Sequence, residues 1–76
     1  MAEYNAYTKA LDILKKRENH WGMMAGATDN YTTKMSNLSM ASAYNSAWWI
    51  LYYAMHEDWE SLDQFDYYEE IESNDN

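Results

Sequence analysis

Seventy-six residues with 5 Lys and Arg against 13 Asp and Glu give a net charge of −8 and a pI near 4.3, a balance that repels nucleic acid and anionic lipid as direct partners. The absence of cysteine excludes a disulfide framework and thiolate metal sites. Met1-Ala2-Glu3-Tyr4 lacks the basic and apolar stretches of a signal peptide, and the longest apolar run, Ala47 to Met55, is nine residues where a bilayer span needs about twenty, so a cytoplasmic protein with no membrane contact is expected.

The chain reads as one helical domain over residues 1–76, with no proline and with both glycines, Gly22 and Gly26, in the stretch Trp21 to Asn30. Glycine tolerates the left-handed conformation that ends helices, so the break between the first two helices is placed there. The first helix is predicted from about Ala2 to His20. Tyr4, Tyr7, Ala10, Leu11 and Leu14 share one face of its wheel, and Asn5, Thr8, Lys9, Asp12, Lys15 and Lys16 share the other. Lys15, Lys16 and Arg17 then fall in the last turns, where positive charge favours the helix macrodipole, so they read as structural and not as a phosphate patch. Asp12 and Lys16 can pair at i, i+4.

The second helix is predicted to start between Thr28 and Ser36, with Thr28, Asp29, Thr33, Ser36 and Asn37 as competent caps, and to reach about His56. It has two apolar faces. Tyr44, Trp48, Leu51 and Met55, flanked by Ala41 and Tyr52, form a bulky one; Ala43, Ala47, Ile50 and Ala54 form a small-residue one. Two such faces predict two neighbours, and the alanine face admits a close one. Trp49 and Tyr53 lie at i, i+4 among the polar residues Ser42, Asn45 and Ser46, placed as surface packing or as interface anchors.

The third segment, Trp59 to Ser73, repeats an apolar, acidic, mostly polar triplet five times, as in Trp59-Glu60-Ser61 and Leu62-Asp63-Gln64. On an α-helix this rhythm drifts by about 60° per repeat. It gathers Leu62, Phe65 and Tyr68 on one side and sets Asp63, Asp66 and Glu70 along the other, flanked by Glu60 and Glu69. The fold expected is all-α, a small three-helix bundle with an alanine-rich central helix, open to homodimerisation.

Charge is strongly polarised. Glu57, Asp58, Glu60, Asp63, Asp66, Glu69, Glu70, Glu72 and Asp75 place nine of the 13 acidic residues in the segment 57–76, which has no Lys or Arg. Such crowding raises the free energy of a compact state, and carboxylates near a helix C-terminus oppose the macrodipole. The solvated acidic tail is the commonest reading of a charge run. Disordered acidic tails are poor in large apolar groups, however, whereas this segment interleaves Trp59, Leu62, Phe65, Tyr67, Tyr68 and Ile71 with its charges.

Signs of catalysis are weak. His56 and Glu60 have i, i+4 ligand spacing without a third ligand, which is too little for a metal site, and a uniform carboxylate ridge does not supply the unequal pair that acid and base catalysis needs. With no glycine-rich phosphate loop and no nucleophile in context, neither an enzyme nor a cofactor is expected. The expected partner is a larger basic nucleic-acid-binding protein, a nuclease or a CRISPR or restriction effector. It would be bound through Glu57, Asp58, Trp59, Glu60, Asp63, Asp66, Tyr67, Glu69, Glu70 and Glu72, helped by Trp49 and Tyr53. In size and charge the chain resembles the small acidic DNA mimics that phages use against restriction, CRISPR effectors or DNA-processing enzymes, which implies an inhibitor acting in a host cytosol. An immunity protein or antitoxin for a basic nuclease follows the same electrostatic logic. A self-associating helical module is the alternative that the excess of aromatic rings suggests.

Overall fold

A computed structural model of the chain describes residues 5–66. These form two long helices and one short one, α1 (Ala6–Gly26), α2 (Tyr31–Met55) and α3 (Trp59–Asp63), with no strand among the described residues. The all-α class holds, but the arrangement is a helical hairpin with a short appended turn of helix and not a bundle of three comparable helices. None of the described helices is long and apolar enough to cross a membrane.

Helix α1 starts where Asn5 and Thr8 make a reciprocal cap: Asn5 Oδ1 accepts from the Thr8 N–H at 3.0 Å, and Thr8 Oγ1 accepts from the Asn5 N–H at 2.8 Å. It runs six residues past the predicted end at His20, straight through Gly22. Neither glycine has a positive φ, so the left-handed stop assigned to this stretch does not exist. Interior glycine costs a helix only about 0.5 to 1 kcal/mol, less than half-buried Trp21 and buried Ala25 return by packing on α2. The Lys15, Lys16 and Arg17 cluster consequently lies in mid-helix, and the last turn holds no basic residue. Macrodipole stabilisation therefore does not explain these lysines, which serve local ion pairs instead: Lys16 Nζ to Asp12 at 3.1 Å and Lys15 Nζ to Glu18 at 3.7 Å.

A short loop follows. Asn30, absent from the predicted caps, begins α2 by accepting from the Thr33 N–H at 2.8 Å, while its own N–H donates to Thr28 Oγ1 at 3.2 Å. Two competent side chains thus cooperate, and the helix starts one residue after the second.

Burial explains how α1 and α2 pair. On α1 the buried or half-buried positions include Leu11, Leu14, Glu18, Trp21 and Ala25, continued by Thr28 in the loop beyond its end, and on α2 they include Lys34, Asn37, Ala41, Tyr44, Trp48, Leu51 and Met55. Both series step by alternating threes and fours, the spacing of a coiled-coil seam. The bulky face expected on α2 is this seam. Its polar positions include buried Asn37 and Glu18, which accepts from Asn45 Nδ2 at 3.2 Å. Tyr7, which shares a wheel face with Leu11 and Leu14, is 53% exposed in the first turn of α1.

The hairpin makes a thin layer. Its smallest extent is 15 Å, little more than the roughly 10 to 12 Å of one helix with side chains. Among the described residues the buried apolar side chains are Leu11 and Ala25, and no side chain is fully buried.

Candidate acidic interaction surface

The acidic segment is joined to α2 by a tightly hydrogen-bonded turn. Helix α2 ends at Met55 with His56 as its C-cap, after which Glu57 adopts a left-handed conformation with φ of 54°. The Glu57 N–H donates to the Ala54 carbonyl at 3.0 Å, and the Asp58 N–H donates to the Tyr53 carbonyl at 2.9 Å. These two bonds define a Schellman motif whose left-handed position normally favours glycine. Here it carries an exposed carboxylate. The turn also separates His56 from Glu60, one capping α2 and the other inside α3, so their i, i+4 spacing is not helical; no three His, Cys, Asp or Glu side chains converge among the described residues.

Asp58 then caps α3. Its two carboxylate oxygens accept from the Ser61 N–H at 3.2 Å and the Ser61 hydroxyl at 2.7 Å. The hydroxyl bond first and the N–H bond second hold its carboxyl below the ordinary value of 3.8, helped slightly by His56 and opposed by partial burial. Of the described acidic residues expected to meet a partner, Asp58 is therefore the one whose carboxylate is engaged inside the chain.

Past α3 the backbone tightens. The N–H groups of Gln64, Phe65 and Asp66 donate to the carbonyls three residues earlier, Ser61, Leu62 and Asp63, at 3.4, 3.0 and 3.1 Å. Consecutive bonds of this kind have three residues per turn and a rise of about 2.0 Å per residue, and they eclipse side chains at i and i+3. The triplet rhythm therefore keeps to one side where α-helical geometry would make it drift. Trp59, Leu62 and Phe65 line one groove of about 310 Å³ together with Ile50, and Asp63 and Asp66 form its acidic edge. Glu60, Asp63 and Asp66 are all exposed. Asp63 and Asp66 lie in register about 6 Å apart along the axis, with Glu60 about 4.5 Å before them.

Within the described residues the helix predicted from Trp59 is α-helical over Trp59–Asp63 and turns on to Asp66; the predicted continuation to Ser73 lies outside them. Tyr67, Glu69, Glu70 and Glu72 lie outside the described residues, as does Tyr68. Among the described residues the ion pairs lie within α1, and none neutralises Glu57, Glu60, Asp63 or Asp66.

Aromatic rings brace the base of the segment. Trp49 and Tyr53 meet at 5.6 Å, as the i, i+4 spacing predicted, and Tyr53 continues to Phe65 at 6.3 Å. On the neighbouring face Trp48 stacks on Tyr52 at 5.3 Å and 9°, and Tyr52 meets His56 at 4.5 Å. Trp59 is left 73% exposed. Ile50, Leu62 and Phe65 are groove residues that the sequence reading did not assign to the site. The signal was present in the period of three, which belongs to a tighter helix than the α-helix.

No family model, curated protein or solved structure matches the chain.

Proposed function

We propose that the chain is a small acidic inhibitor that occupies the nucleic-acid-binding surface of a larger basic protein, its carboxylates standing in for phosphates. The observation that carries this reading is the exposed row Glu60, Asp63 and Asp66 on a capped and tightly turned segment. Its spacing is comparable to that of successive phosphates along a strand. Lys and Arg side chains arranged to pair with phosphate are offered charge-assisted bonds to carboxylates instead. The apolar groove beside the row adds what a phosphate backbone lacks. A lysine or arginine can lay its stem along Trp59, Leu62 and Phe65 while its head reaches Asp63 or Asp66, and the exposed Trp59 ring offers a cation–π contact.

Glu57 supports the same reading. A left-handed position costs a non-glycine residue roughly 1 to 2 kcal/mol, and a carboxylate retained there adds to the repulsion within the segment. Strain of this kind gathers at functional sites. The mechanism is competitive exclusion, with long-range attraction speeding encounter and making it salt-sensitive. In this reading the setting is that of a phage-type counter-defence inhibitor in a bacterial cytosol.

The test is capture from bacterial lysate at low and high salt with the native chain and two variants of equal net charge. One carries Glu60→Lys, Asp63→Lys and Asp66→Lys; the other carries Glu3→Lys, Asp12→Lys and Asp29→Lys. A specific target is retained by the native chain and by the second variant and lost by the first. Equal loss from both variants would mean that only bulk charge matters, which contradicts the template.

A further inference from the structure

We propose, independently of the inhibitor reading, that the outer face of α2 is the interface of an antiparallel homodimer of this chain. Helix α2 carries one charged residue, Lys34, in its 25 positions, and α1 covers only its seam. On the opposite side Ser39, Ser42, Ala43, Ser46, Ala47 and Ile50 line an open groove of about 430 Å³. It meets the groove beneath Trp59 at Ile50. Leu38, Trp49 and Ile50 are 44, 38 and 40% exposed around it. A helix apolar or uncharged all round belongs in an interior, not on a water-facing surface.

The occupant follows from charge and symmetry. A face with no charge offers nothing to steer or orient a basic partner, but it is complementary to an identical face. The groove also matches itself when a second copy is turned end for end. Ser39 then faces Ile50, Ser42 faces Ala47 and Ala43 faces Ser46, so serine and alanine fill the centre and let the axes approach to about 8 Å. A parallel pair would set two copies of the acidic segment side by side. In the antiparallel pair the two Met55 ends lie about 30 Å apart, several Debye lengths at physiological salt. Each dimer then presents an acidic row at either end.

Sedimentation equilibrium across a wide concentration range tests the proposal, with circular dichroism as the folding control. The native chain should be a dimer that high salt leaves intact or strengthens. Ala43→Glu and Ala47→Glu, both in the groove opposite the seam, should keep their helicity and weaken the dimer at least about tenfold by placing carboxylates in a desolvated interface. Single-cysteine variants fix the direction. Ser46→Cys should cross-link to itself on oxidation, whereas the copies of Ser39→Cys lie about 16 Å apart along the axis and should not. A helical monomer at all concentrations would overturn the dimer, a dimer indifferent to both glutamates would overturn the face, and equal cross-linking would overturn the direction. None of these outcomes touches the capture experiment, whose failure in a chain that still dimerises would count against the inhibitor reading alone.

Discussion

Two neighbouring carboxylates do different work. Asp58 is held in its charged form by Ser61, so its capping contribution is complete above the ordinary carboxylate pKa and is lost as pH falls through the depressed one. Asp58→Ala should lower the melting temperature by several degrees near neutrality, and the gap to the native chain should narrow only in the acidic range below ordinary aspartate titration. A gap that closes between pH 7 and 5 would mean that another group governs the turn. Glu57, one residue earlier, holds a left-handed φ of 54°. Glu57→Gly relieves that strain and should stabilise the fold by about 1 kcal/mol, or roughly 4 to 8 °C in melting temperature, while weakening the partner complex. A variant that melts lower would show the turn to be relaxed with glutamate in place.

At the scale of elements, the sequence revealed the helices better than it revealed where they end. The bulky face Tyr44, Trp48, Leu51 and Met55 was legible because its spacing fits one helix period, and it is the seam that packs on α1. The end of α1 was not legible, because glycine signals a stop only where the chain turns left-handed, and here packing at Trp21 and Ala25 carries the helix through. A Cβ added at Gly22 meets nothing within 4 Å, so Gly22→Ala should stabilise by about 0.5 to 1 kcal/mol in thermal melts; destabilisation would show that the glycine is needed for its conformation after all. Glu18 presents the converse case. It occupies a seam position with Oε1 buried and no hydrogen-bond partner. Glu18→Leu should stabilise the hairpin by about 1 kcal/mol but loosen its register, as polar seam residues commonly fix register at a cost in stability. The loss should appear as broadened amide resonances around Asn45; sharp resonances at unchanged positions would deny Glu18 that role.

At the scale of the molecule, the described residues form a hairpin of two long helices with one short helix appended. It stands apart from the bundle that composition suggested because the third helix among the described residues is only five residues long. The polarity of charge was legible from the residue order alone; the geometry of the site was not. The triplet rhythm of Trp59, Leu62 and Phe65 becomes a single face only through the i→i+3 bonds at Gln64, Phe65 and Asp66, a backbone detail that residue types do not specify. Once that turn is in place, the carboxylates form a row on one side of an apolar groove, and the account rests on that row being a rigid template for a partner's cations. The most direct measurement is a competition titration, in which the complex with the captured target is challenged by the nucleic acid that the target binds. Stoichiometric displacement of the chain, with an affinity lost in the Glu60→Lys, Asp63→Lys, Asp66→Lys variant, is the result expected. A stable ternary complex of target, nucleic acid and chain would contradict it.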